Sequence, residues 1–175
     1  MIKLLVLDVD GCLTNGQIIY SNSSYDNNLN EEILSLESKA FNVKDGLAIR
    51  TWLDMGNYVA IITGKKSEMV ARRAKELKIS FLHQKISDKL SVLQDIAKEL
   101  NIEMNQIAAI GDDLNDYKML KAVGRSYTPN DGAKHIKSIV NMTLKTKGGE
   151  GAVREMIEDI IDIDSQEEAF LKQWL

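Results

Sequence analysis

The chain has little of what many protein classes depend on. It holds one cysteine, Cys12, so no disulfide can form within it, which fits a reducing compartment. It holds one proline, Pro129, and so has no Pro-rich linker between domains. Its two histidines, His83 and His135, lack metal-ligand spacing. No apolar run is long enough to span a bilayer. Basic charge is not in excess: the formal net charge is -4, so no bulk field draws nucleic acid or anionic lipid. Met1-Ile2-Lys3 leads directly into Leu4–Asp8, without the longer apolar stretch and cleavage site of a signal peptide. The expected location is the cytoplasm, with neither membrane nor nucleic acid as partner.

What is present is an alternation. The 175 residues are enough for one core and short for two. Ile2–Val9, Tyr58–Thr63 and Ile107–Gly111 are short apolar runs of the kind that form strands buried on both faces, and Ile79–Leu82 is a weaker fourth. Amphipathic segments lie between and after them. Asp45 is placed to N-cap a helix burying Ile49, Trp52 and Leu53, and Ser67 to cap one burying Val70, Ala74 and Leu77. Leu90, Leu93, Ala97 and Leu100 mark a third helix, and Val153, Ile157 and Ile160 a fourth. This order specifies an α/β fold, a Rossmann-like parallel sheet with helices on both faces. Gln17–Ser21 and Glu37–Val43 break the rhythm as a small early β-hairpin, joined through a polar connection over 21–28. The domain is expected over 1–164, with the hairpin and an insertion at 17–43. A tail follows over 165–175, where Ser165 and Glu168 have capping-box spacing ahead of Phe170, Leu171, Trp174 and Leu175.

Polar clusters end the three best strands: Asp8 and Asp10; Thr63 and Gly64; Gly111, Asp112, Asp113 and Asp116. Ligands of open parallel sheets bind beyond the carboxyl ends of the strands, so these clusters converge. Carboxylates gathered there repel each other, and a hard divalent cation held by oxygen, Mg²⁺ above all, relieves the repulsion. Asp8 and Asp112 are the expected side-chain ligands, with Asp10 completing the metal set. Asp8 is then free to attack phosphorus. Asp10, two residues along the strand and on the same face, is the general acid and base. Thr63 and the N–H groups beyond it, from Gly64 on, bind phosphate oxygens, and Lys89 at a helix start meets the charge that builds on the phosphoryl group. Asp113 and Asp116 have supporting roles, the former as a helix cap; plain surface charge is the alternative for Asp116. Cys12 reads as a packing residue. Gly148, Gly149 and Gly151 read as a flexible connection.

Asp8-Val9-Asp10-Gly11-Cys12-Leu13-Thr14, Ile62-Thr63-Gly64, Lys89 and Gly111–Asp116 resemble the motifs of the haloacid dehalogenase superfamily in order and spacing. An aspartate at position 10 resembles its phosphatases rather than its ATPases. A narrower resemblance runs through Phe41–Gly46, Ile62–Ser67 and Gly148–Glu155, which are similar to the 3-deoxy-D-manno-octulosonate 8-phosphate (Kdo 8-phosphate) phosphatases. It implies a member without a cap domain, a homotetramer built by the early hairpin with active sites near subunit interfaces, and a substrate that is a small phosphorylated keto-deoxy sugar acid on the way to lipopolysaccharide. With no cap to recognise the sugar, Lys65, Lys66 and Arg154 are expected to contact substrate or a neighbouring chain. Two features depart from the family pattern: Lys65 stands where arginine is frequent, and the segment 21–39 is longer than the usual hairpin connection. The competing readings are a nonulosonate 9-phosphate phosphatase, a phospho-accepting signalling module and a non-catalytic oligomerisation domain.

Overall fold

The structure, a computed structural model, describes residues 1–22, 35–172 and 174–175. Six parallel strands form the main sheet: β1 (Leu4–Leu7), β4 (Tyr58–Ile62), β5 (Phe81–His83), β6 (Ile107–Ile110), β7 (Arg125–Thr128) and β8 (Met142–Thr143). Their order is β5-β4-β1-β6-β7-β8. The chain leaves central β1 toward one edge, through β4 and β5, and returns to build the other half from β6. The strand order therefore reverses around β1, and a crevice opens past its carboxyl end. A separate antiparallel pair, β2 (Ile19–Asn22) and β3 (Ser35–Ser38), forms the early hairpin.

Alternation along the buried strands feeds two cores. Leu5 and Leu7 of β1, with Val59, Ile61, Ala108 and Ile110, pack under α1 (Val43–Asp54), α2 (Glu68–Leu77) and α6 (Ala152–Ile163). Leu4 and Val6, with Ala60, Ile62, Ile107 and Ala109, pack under α3 (Lys89–Leu100), α4 (Tyr117–Ala122) and α5 (Lys134–Lys137). Every residue of β1 is buried, because side chains on both faces of a doubly covered sheet meet helices. Among the described residues, β2 and β3 are the only strands or helices between the turn that follows β1 and α1; no cap domain is formed there.

Several local expectations are corrected. Asn42, not Asp45, caps α1, accepting from Lys44 N at 2.9 Å. Its side-chain amide also reaches the Gly149 carbonyl, at 3.4 Å. Val43 therefore begins a helix rather than ending a hairpin strand. Asp45 acts elsewhere, and its carboxylate accepts from Arg154 N at 2.7 Å, at the N-terminus of α6. Ser67 caps α2 as expected, accepting from Val70 N. Strand β5 lies two residues later than Ile79. Strands β7 and β8 go beyond the expected set, β7 because its residues Arg-Ser-Tyr-Thr show no apolar run. The last helix, α7 (Glu167–Leu171), is preceded by Gln166 at its cap without a capping side chain; Ser165 lies in the left-handed region at φ 55°. Phe170 of α7 is buried in the first core, whereas Trp174 and Leu175 are exposed. Ser21 and Asn22, expected in the polar connection, end β2 instead, and the rest of that connection falls within 23–34, outside the described residues.

Candidate active site

Just past β1 the backbone turns over Val9–Leu13 instead of extending the strand, with Asp10 and Gly11 at non-helical angles. Asp8 precedes this turn with extended backbone, and Asp10 lies inside it at φ -76°, ψ 116°. The two side chains share a cleft because the turn brings them there; strand alternation, the expected reason, does not apply beyond Leu7. Gly11 sits at φ +90°, and a Cβ there would lie 2.1 Å from Asp112 Oδ2. Only glycine lets the carboxylate that follows β6 close on the turn that follows β1.

A cleft of about 450 Å³ opens at this point. Asp8, Asp10, Thr63, Gly64, Lys65 and Asp112 line it, as the sequence leads one to expect. Asp113, Asn115 and Gly16 line it too. Asn115 and Gly16 carried no expected role; Asn115 lies within the acidic motif, and that position was its only signal.

Lys89 lies beneath the cleft as the first residue of α3, its side chain 1% exposed. Its ammonium is 2.8 Å from Asp8 Oδ1 and 2.5 Å from Asp116 Oδ1. Asp116 is wholly buried, and its other oxygen accepts from Asp112 N at 3.2 Å. Asp116 therefore ties the lysine to the loop that carries Asp112, which excludes the surface-charge reading. Gly111 allows this closeness, since a Cβ there would strike the Asp116 carboxyl at 2.4 Å. Asp113 accepts from Leu114 N at 2.7 Å and caps the turn that leads into α4.

Charge is unbalanced in this group. Asp8, Asp112 and Asp116 face one ammonium. Burial, and next Asp116, push the Asp8 carboxyl up to about 6 against the pull of Lys89. Burial followed by Asp8, Asp116 and Asp113 push Asp112 up to about 7. Burial raises Asp116 as well, although Lys89 opposes it. Lys89 itself is raised: burial works against its charge, and its two carboxylate partners outweigh that. Crowded, desolvated oxygens of this kind fit a hard cation. Ligand atoms of Asp8, Cys12 and Asp112 lie within 4.8 Å of one another. Of these, Cys12 does not suit the cation. It is buried, and burial together with Asp8 and Asp112 drives its thiol well above the usual range, so it stays neutral and soft. The Asp10 carboxylate does not join this group; Lys39 holds it, Nζ to Oδ1, at 2.5 Å.

The other expected cations divide. Lys65 lines the cleft. Lys66 does not, and its ammonium lies 3.9 Å from Glu68. Arg154 does not either: its guanidinium bonds Glu158 at 2.6 Å and stacks over the Phe170 ring. The glycine-rich segment before α6 is bonded rather than free, with Gly149 N donating to Cys12 O at 2.9 Å and Gly148 N to Asp131 at 3.0 Å. It braces the turn that presents Asp8.

Comparison with known proteins identifies the family. The family described as haloacid dehalogenase-like hydrolase matches residues 80–157. The 3-deoxy-D-manno-octulosonate 8-phosphate phosphatase KdsC of Escherichia coli K12 is 39% identical over 157 residues, which is 90% of this chain and 78% of that protein. The corresponding phosphatase of Moraxella catarrhalis, whose crystal structure is a complex with magnesium ion, phosphate ion and KDO, superposes with a TM-score of 0.89. It is 39% identical, with 99% of this chain and 94% of that one covered. The Yersinia pestis enzyme superposes at 0.87 with 35% identity, covering 95% of this chain and 84% of that one. The chain belongs to the 3-deoxy-D-manno-octulosonate 8-phosphate phosphatase family of haloacid dehalogenase-like hydrolases.

Proposed function

We propose that this chain hydrolyses 3-deoxy-D-manno-octulosonate 8-phosphate to Kdo and phosphate, with Mg²⁺ as cofactor and an aspartyl phosphate on Asp8 as intermediate. The observation that carries the reading is the Lys89 ammonium held between Asp8 and Asp116, beside Asp112, at the carboxyl end of the sheet. Its relatives' names supply the substrate.

Each residue has a distinct role in this reading. The Asp8 carboxylate attacks phosphorus, and the ester oxygen leaves with a proton delivered by Asp10. Asp10 then takes a proton from the water that cleaves the acyl phosphate. Thr63 and the Gly64 N–H orient the phosphoryl oxygens. Lys89 lies where negative charge grows as the transfer proceeds, and Asp116 fixes it there, so no reorganisation is needed at the moment of reaction. Asp8 and Asp112 hold the metal ion, which supplies the positive charge that lets an anionic nucleophile meet an anionic ester. Lys65 at the rim meets the sugar's carboxylate. Lys66 and Arg154 lie away from the cleft, so any contact with substrate comes through a second copy of the chain.

The wider setting follows from the same reading: a cytoplasmic enzyme of lipopolysaccharide sugar synthesis, working as a homotetramer. Ile18 and Ile19 of the early hairpin are about half exposed, as a surface that meets other copies requires. No helix among the described residues is long and apolar enough to cross a membrane.

Phosphate release from a panel of sugar phosphates, with magnesium and with a chelator, tests the proposal. Fastest release from Kdo 8-phosphate, lost with the chelator, is expected. Faster release from a nonulosonate 9-phosphate would move the substrate to that alternative. No release from any ester by the folded protein would leave a phospho-accepting or oligomerisation module.

A further inference from the structure

The general acid and base of the proposed reaction sits on a turn, and the turn does not hold its side chain. Asp10 lies at backbone angles outside any regular element, and its side chain is 24% exposed. Among the described residues, one side chain bonds its carboxylate: Lys39, at 2.5 Å. Lys39 is the first residue after β3, 29 positions away, and belongs to neither the sheet nor its covering helices. Its own side chain is 4% exposed, an unusual burial for a lysine. The ammonium has a second partner in Glu37 at 3.4 Å. An exposed ion pair holds nothing in place, because both side chains wander and solvent screens them. Lys39 differs, since its side chain is covered and its ammonium meets two carboxylates at once.

Resting on the assignment of Asp10 as acid and base, we infer that Lys39 is a positioning residue: it fixes the Asp10 carboxylate toward the ester oxygen and thereby makes the hairpin exit part of the active site. Lys39 lies outside the group that lines the cleft. It acts through Asp10 alone. Its loss therefore mimics loss of the acid, not loss of substrate binding or of charge at phosphorus.

A leaving group that departs as a stable anion needs no proton, whereas an alkoxide does. The ratio kcat/KM reports the steps up to departure of the leaving group. The test compares wild type, Lys39→Met, Lys39→Arg, Asp10→Asn and the double variant Lys39→Met/Asp10→Asn, each checked by circular dichroism for native fold. The substrates are Kdo 8-phosphate and p-nitrophenyl phosphate. Methionine retains the covered stem without the charge. Lys39→Met is expected to lower kcat/KM for the alkyl ester about 10²-fold, as misplacement of a catalytic group does. KM should hold steady and p-nitrophenyl phosphate should lose far less. Lys39→Arg should restore most of the loss, and the double variant should be no slower than Asp10→Asn alone. Equal losses on both esters, a rise in KM alone, or additive losses in the double variant would overturn the inference while leaving Asp10 its role. Undiminished alkyl ester turnover by Asp10→Asn would instead remove the acid and base assignment, and this inference with it. Should Lys39→Met fail to fold, Lys39→Leu, which also removes the donor, carries the same comparison.

Discussion

Lys89 and Lys39 each place an ammonium on an aspartate that the proposed mechanism needs, yet they are built in opposite ways. Lys89 starts a helix of the second core, reaches a carboxylate at the end of the central strand, and is held from behind by Asp116. All three side chains are buried. Lys39 comes off the edge of a two-stranded hairpin and reaches an aspartate on a turn that is partly open to solvent. The first pair is fixed by the same packing that makes the fold. The second depends on where the hairpin sits. In the proposed mechanism, chemistry common to every phosphate ester is thus assigned to the core, and protonation of the leaving group and recognition of the sugar to the rim.

Variants should separate the two regions. The largest effect belongs to Asp8→Asn: a near-isosteric amide is neither nucleophile nor good metal ligand, so turnover should all but vanish, with the fold retained by circular dichroism. Lys89→Met should come next. It removes the charge that meets the phosphoryl group, and kcat should fall about 10²–10³-fold on every ester. It should also lower stability by about 3 kcal/mol in urea, because two buried carboxylates lose their partner. At the rim, Lys65→Ala should raise KM for the sugar acid phosphate about tenfold and leave p-nitrophenyl phosphate within about twofold. If Lys65→Ala slows both esters alike, the division between core and rim fails.

The smallest effect is thermal and needs no turnover. Asp8 at about 6 and Asp112 at about 7 stand above the ordinary carboxyl value of 3.8. The native state therefore binds more protons than the unfolded chain across that window. Their contribution to stability is full in acid and is lost as pH rises through about 6 to 7 in metal-free protein. Protons compete with magnesium for the same oxygens, so magnesium should stabilise little at about pH 5 and much at about pH 8. At saturation the gain in Tm there should be about 5–10 °C. A gain independent of pH, read by differential scanning fluorimetry, would place the ion elsewhere.

The core region is the legible one. Asp8, Thr63, Lys89 and Asp112 each end a strand or start a helix whose apolar pattern is visible in the sequence, and the parallel topology then brings those ends together. Ser67 is legible for the same reason, since its cap bond closes within three residues. Asp45 misleads because a capping pattern is local, whereas its carboxylate caps a helix 109 residues away. Lys39 carries no local signal either. Nothing in Ser38-Lys39-Ala40 distinguishes it from a solvated lysine, and its role depends on a contact that only the folded hairpin makes. The strand β7 is hidden for a third reason. Its one apolar anchor is Tyr127, whose hydroxyl donates to Asp159 at 2.7 Å, so a residue with a polar tip fills a core position.

The central claim is that Asp8, pre-set by Lys89 and Asp116, carries the phosphoryl group. Rapid acid quenching during turnover of phosphate-labelled Kdo 8-phosphate with magnesium, followed by peptide mapping, addresses it directly. Label on the peptide that contains Asp8, absent from Asp8→Asn, is the predicted result. Full turnover with label on another residue, or on none, would contradict the account.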